Sequence, residues 1–253
     1  LRLAFYCLCS DCVLFIFNLL CVLFIRYQEK VCRAMDNPGK VMSLILDGMD
    51  QAHSRVPHMA NISSFGHPLR QHVQGVLVHG EGVTFYRTFN NVAKGADLTT
   101  FCFLDVLEKW FDKYKSFPEE IYFQIDGGSE NANQYVLGIC ELLIAKRMVR
   151  KIVLARLPKG HTHADIDAIF AHLWTWLRSR SVLTVSEFKD HVEEHFKETK
   201  LNVSIDDIYV IPDYQRFFND ENCIDQKLSG YAKQEKTQLC WTFEAVVKND
   251  FFK

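Results

Sequence analysis

The sequence lacks an excess of either charge. Its 29 lysines and arginines stand against 31 aspartates and glutamates, for a net charge of −2. That balance excludes a basic field over the whole surface, so contact with a polyanion must come from a local patch or through a metal. Paired CxxC units at zinc-ribbon spacing are also missing. The 9 cysteines are scattered. Cys9 and Cys12 form a lone CxxC inside an apolar run, and the rest read as reduced core cysteines of an intracellular protein. Internal repeats and low-complexity runs are absent. So is an initiating methionine: the chain starts at Leu1, which reads as a fragment or an incomplete gene model.

What is present is an ordinary globular composition, 48% hydrophobic and 24% charged over 253 residues. That suffices for one large domain with a sizeable core and excludes wholesale disorder. Residues 3–25 are almost wholly apolar, interrupted by Ser10, Asp11 and Asn18 and flanked by Arg2 and Arg26. A run of that length can span a bilayer. It reads either as a membrane anchor or uncleaved signal, or as a non-native terminus such as translated intron. Either way residues 1–26 are expected to stand apart from the fold.

The rest of the chain alternates strands and helices. A polar helix is expected from Tyr27 to the stop at Asn37-Pro38-Gly39, then a near-continuously apolar central strand over 41–46. A histidine-bearing loop covers 53–70, and two strands over 73–79 and 83–90 are joined by Gly80-Glu81-Gly82 as a hairpin. Apolar spacing predicts helices over 98–114 and 133–148, with a strand over 121–125 between them. Ser129 and Asn131 are expected to cap the second of these helices. A strand over 152–157 and a further helix follow. Beyond Arg180, Thr184-Val-Ser-Glu187 can cap a polar helix running to about Lys200. Two short strands, near 208–211 and 239–247, complete an appendage expected to pack on the core.

Three strands end on an aspartate. The strand over 43–46 runs into Asp47-Gly-Met-Asp50, that over 121–125 into Asp126-Gly-Gly-Ser-Glu-Asn131, and the third into Gly160-His-Thr-His-Ala-Asp-Ile-Asp167. Polar groups gathered at the carboxyl ends of strands are how α/β folds build sites. Each aspartate taken alone also reads as a turn residue, because Asp-Gly is a favoured turn dipeptide. The order β, β-hairpin, α, β, α, β, α gives a five-stranded mixed sheet with helices on both faces, the ribonuclease H-like arrangement. Residues 27–180 would form that core and 181–253 a smaller α+β appendage.

The three blocks together resemble the signature blocks of transposon-derived eukaryotic proteins. The core of those proteins is similar to transposases and integrases of the DDE/DDD type, and the likeness runs over about residues 27–247. The resemblance implies that Asp47, Asp126 and Asp167 hold two Mg2+ (or Mn2+) ions, with Asp47 bridging them, for cleavage or transfer of DNA strands. It implies DNA as partner and a nuclear protein, leaves a homo-oligomer open, and involves a membrane only if residues 3–25 are an anchor. A catalytically silent module that binds nucleic acid or protein is the alternative from another class.

Several residues beside the blocks carry competing readings. Asp50 reads as a turn residue or a neighbour of the ligands, as does Asn131. His161, His163 and Asp165 resemble the HxHxDH zinc site of metallo-β-lactamase-like hydrolases, with Ile166 where the last histidine of that motif stands. They also read as groups supporting the carboxylates. Lys146, Arg147, Arg150, Lys151, Arg156 and Lys159 form a basic run, either a solvated helix end or a phosphate track leading to the site. Asp165 and Asp167 point about 200° apart on a helix, so only one can face the site. Thr162 as N-cap would give Asp165 a structural task. Asp167, bordering the apolar face of Ile166, Ile169, Phe170, Leu173 and Leu177, is expected to be the ligand.

Overall fold

The computed structural model describes residues 25–60, 67–125, 133–156, 165–220 and 240–244. The first described helix, α1, covers residues 25–36 and ends in the turn at Asn37-Pro38-Gly39. Seven strands form one sheet: β1 Val41–Gly48, β2 His72–Val78, β3 Gly82–Thr88, β4 Glu120–Ile125, β5 Lys151–Arg156, β6 Val203–Ile208 and β7 Cys240–Glu244. Their spatial order is β6-β3-β2-β1-β4-β5-β7. β1 lies antiparallel to β2 and parallel to β4, with Leu46 opposite Ile125. β5 continues parallel to β4. The molecule is therefore α/β, a mixed sheet flanked by helices.

The alternation of β1 sorts the two cores. Met42, Leu44 and Leu46 face one side, where they meet α2 (Ala96–Tyr114) and α3 (Gln134–Ala145). Ile45 faces the other, toward α4 (Asp165–Leu177) and α5 (Val185–Lys197). Leu44, Leu46 and Ile45 are at most 2% exposed, each burial contributing about 1.5–3 kcal/mol. A strand buried on both faces is near-continuously apolar, and β1 is, with Ser43 the one polar residue before Asp47. α1 shares the α4 side. Its Lys30 lies over the Tyr122 ring of β4, and Arg33 pairs with Glu120 at 2.9 Å.

Caps explain two helix starts. Thr184 accepts from the Glu187 amide, as expected, while the Glu187 carboxylate reaches back to the amide of Leu183 at 2.7 Å. α3 is capped by Asn133, whose side chain accepts from Tyr135 and Val136. Ser129 and Asn131, expected in that role, lie outside the described residues.

The C-terminal part corrects the expected five strands with an appendage. β6 joins the sheet beside β3 and β7 beside β5, so this segment supplies both edges. The strand expected at 208–211 lies at Val203–Ile208 instead. Asp206 and Asp207 disguise it, because aspartate is depleted in strands. Tertiary pairing overrides that preference. Arg87 of β3, with a side chain 1% exposed, donates from Nε and Nη2 to the two carboxylate oxygens of Asp207 at 2.6 and 2.7 Å. Lys109 of α2 reaches Asp206 at 2.7 Å. Gly82 completes the junction: its φ is +139°, and a Cβ there would sit 2.2 Å from the Asn202 carbonyl oxygen. The last described helix, α6, is Tyr214–Asp220.

Among the described residues no helix is long and apolar enough to cross a membrane. Residues 3–24 of the apolar run lie outside them.

The Arg87–Asp207 pair makes a direct test of what holds β6. Asp207→Ala leaves a buried guanidinium unpaired and is expected to cost about 3–5 kcal/mol in urea denaturation. Adding Arg87→Met should recover much of that loss. A single-variant loss below about 1 kcal/mol would show that the pair does not hold the edge strand.

Candidate carboxylate site at the end of the central strand

Asp47 is the seventh residue of β1 and half-buried. By alternation it shares the α4 side with Ile45, and its direct cross-strand partner on β2 is Gly75. Its Oδ1 accepts from the Gly48 amide at 2.7 Å. Gly75 has a packing reason to be glycine: a Cβ there would stand 2.8 Å from Phe170 and 2.9 Å from Ile166. The first two turns of α4 thus rest on the backbone beside Asp47.

The orientation of α4 follows from its contacts. With Ile166 facing the sheet, Asp167 lies about 100° around the helix, on the flank of Trp174. Trp174 stacks on His53 with ring centroids 4.2 Å apart and lies 5.4 Å from His58. Both histidines come from the segment after β1, so the flank of Asp167 is the one turned toward that segment. Asp167 is half-buried.

Asp126, Asn131, Lys159, His161 and His163 lie outside the described residues, as does Thr162. Ile125, which precedes Asp126 in sequence, pairs with Leu46, which precedes Asp47. Among the described residues no group of three histidines, cysteines or acids is placed to hold a metal. Of the zinc reading, only Asp165 is among them. Asp50 is exposed and accepts from the Ala52 amide at 2.8 Å, a turn residue.

Asp165 has a structural task, though a different one from helix capping. Tyr27 of α1 donates its hydroxyl to Asp165 Oδ2 at 2.8 Å and lies 2.8 Å from His79 Nε2. His79 Nδ1 is 3.0 Å from the Ser43 carbonyl, which can only accept, so Nδ1 carries a proton. Burial holds the His79 pKa below its ordinary value despite the Ser43 and Asp165 partners. Burial, then the bond and charge of Asp165, raise the Tyr27 phenol. Ser43 precedes Asp47 by four residues, about 13 Å along a strand. The Asp165 carboxylate is therefore tied over the middle of β1, not at its carboxyl end.

The basic run does not form one track. Lys146, Arg147, Arg150 and Lys151 gather at the amino end of β5, because Lys151 pairs with Glu120 at the start of β4. Arg150 is held there by Glu120, which Arg33 also grips, and Lys151 lies 3.7 Å from Glu244. Arg156, opposite Ile125, stands at the carboxyl end with Asp47.

His72, which the sequence reading passed over as the edge of a strand, also lies at this end. It is buried on the opposite face, its Cε1 3.1 Å from where a Cβ on Gly48 would be. Its Nε2 bonds Gln74 Oε1 at 2.9 Å, leaving Nδ1 buried without a partner. Burial pushes its pKa down to about 4, aided by the charge of Lys94 and opposed by Gln74. Nothing in a single strand-edge histidine signals such burial. Tyr27 and His79 carried no sequence signal either, since they meet Asp165 across 138 and 86 positions.

Residues 63–250 match the family model described as "Domain of unknown function (DUF7869)". The match takes in β2 through β7 and begins after Asp47. No curated protein matches the chain.

His72 predicts a pH dependence of stability. The folded chain keeps this imidazole neutral, while the unfolded chain takes up a proton below about 6.5. Unfolding therefore binds protons, and stability rises with pH across the window. The contribution is complete above about pH 6.5 and is lost as pH falls to about 4, on the order of 3 kcal/mol. Urea denaturation from pH 7 to 4 should show this slope, and His72→Gln should make it shallower. His79 acts in the same direction, so a residual slope is expected. An unchanged slope would mean that His72 is hydrated in the folded chain.

Proposed function

We propose that this chain, which belongs to the DUF7869 family, is a mobile-element-derived, metal-dependent DNA nuclease or strand-transfer protein with a ribonuclease H-like core. What supports the core is the order β3-β2-β1-β4-β5, with β2 alone antiparallel to its neighbours. The observation that carries the function is the register of β1 and β4. Leu46 and Ile125 are partners on adjacent parallel strands, and the next residue of each is an aspartate. α4, resting on Gly75, presents the Asp167 flank toward the segment following β1.

The donor set fits hard divalent ions. Carboxylate oxygens are the ligands that Mg2+ and Mn2+ prefer, and Asp47 stands half-buried near the end of β1. Asp47, Asp126 and Asp167 would hold the ions, which when bound lower the pKa of an attacking water and stabilise the leaving oxygen of a phosphodiester. The chain's own contribution is to place the carboxylates. On this reading Asp47 stands on β1, Asp126 follows β4 in sequence, and a helix pinned by Tyr27 and His79 would bring Asp167 to them. Arg156, at the same end of the sheet, is positioned to meet a phosphate. On this reading the partner is DNA, the protein acts in the nucleus, and a homo-oligomer would bring two DNA ends together.

Incubation of labelled DNA with the full chain and Mg2+ or Mn2+ tests the reading. Cleavage should appear, be lost with chelator, and fall at least about a hundredfold in Asp47→Asn and in Asp167→Asn. Asp165→Asn should retain activity and cost about 1 kcal/mol of stability through its bond to Tyr27. DNA binding without cleavage by the unaltered chain would replace the enzyme with the silent binding module. Loss of cleavage only in Asp165→Asn would assign the wrong aspartate.

A further inference from the structure

The outer surface of the α4–α5 pair holds a group of side chains that the carboxylate site does not use. His172 of α4 and His195 of α5 meet with His172 Nδ1 and His195 Nε2 3.0 Å apart. Their ring centroids are 4.6 Å apart and the planes 41° from parallel. Centroids that close mean the rings are canted: two imidazoles pointing nitrogen at nitrogen along one line would stand farther apart. Trp176 lies against the pair, 5.0 Å from the His195 ring, with the Arg180 guanidinium over the Trp176 ring at 3.5 Å.

Two imidazole nitrogens this close face a choice. Without an ion, one ring must donate a proton to the other, and both cannot be charged together. A tetrahedral zinc ion binds nitrogens at about 2.0–2.1 Å, which puts two such ligands about 3.3 Å apart. The observed spacing is a few tenths of an ångström short of that, within the reach of small side-chain rotations. Neutral imidazole is the form that binds metal.

We propose that His172 and His195 form a two-histidine site for a borderline divalent transition-metal ion, of the Zn2+, Ni2+ or Cu2+ class, clamping α4 to α5. Water completes the coordination, because His172 is exposed and His195 half-buried. The site lies on the outer flank of α4, opposite the flank of Asp167, and is independent of the carboxylate reading. Its chemistry separates it from a Mg2+ site: imidazole ligands favour the later transition metals, whereas Mg2+ prefers oxygen.

Titration of NiCl2 into the full chain tests this, with tryptophan fluorescence as readout, because Trp176 lies beside the ion and bound Ni2+ quenches it. One saturable step is expected, unaffected by millimolar MgCl2. Its midpoint should move at least tenfold higher in His172→Gln and in His195→Gln, both surface substitutions that keep a polar side chain. Trp176→Phe should remove the quenched component. Because the ion bridges two helices of the folded state only, NiCl2 should raise the Tm of the unaltered chain and not that of the double variant. Absence of a saturable step overturns the proposal. So does a step that persists undiminished in the double variant, or one that MgCl2 displaces.

Discussion

An absent side chain at Gly75 decides how α4 meets the sheet. Any Cβ at that position would collide with Phe170 and Ile166, and both are core residues with little room to retreat. With glycine there, the helix settles onto the backbone of β2 directly beside the cross-strand position of Asp47. The depth and rotation of α4 then follow. Ile166 points down, Trp174 stacks over His53, and the two first-turn aspartates are divided between opposite flanks. The helix thus carries the aspartate bound by Tyr27 on one flank and Asp167 on the flank of Trp174.

The two ends of the sheet differ in electrostatics. At the amino ends of β4 and β5, Glu120 is 4% exposed and gripped by Arg33 and Arg150, with the Tyr122 hydroxyl also donating to it. Those charges are satisfied by one another. Removing both arginines would leave the buried Glu120 carboxylate without a compensating charge. At the carboxyl ends, Asp47 and Arg156 are half-buried, and buried His72 is kept neutral. At that end the Gly48 amide orients Asp47 and the Gln74 side chain orients His72, in the way strand ends of α/β sheets present chemistry.

The edges of the sheet are closed by charge as much as by apolar burial. β6 carries two adjacent aspartates, and each is matched by a cation from a different element, Arg87 and Lys109. The guanidinium of Arg87 also donates to the Val185 carbonyl and lies between the Phe89 and Phe188 rings. A single arginine thus ties β3, β6 and the start of α5 together, so the edge strand and the helix carrying His195 depend on the same pair.

The sequence by itself determined the inner part of the molecule. β1, the β2–β3 hairpin, α2, β4, α3 and β5 follow from local pattern, because continuous apolar runs, glycine-centred turns and 3.6-residue spacing are short-range signals. The caps at Thr184 and the stop at Asn37-Pro38-Gly39 were legible for the same reason. Asp47 was legible as a strand-end acid. What only the tertiary structure decided depends on partners far along the chain. The strand read near 208–211 lies at Val203–Ile208, where Arg87, 120 positions earlier, neutralises Asp207. The basic residues read as one run until the parallel register of β4 and β5 splits Arg156 from Lys146, Arg147, Arg150 and Lys151. Asp165 and Asp167 differ by two positions, and Gly75, Tyr27 and His79 set which flank of α4 each occupies. Long-range electrostatic pairing and close backbone approach leave no periodic trace in a sequence, so those assignments waited for the fold.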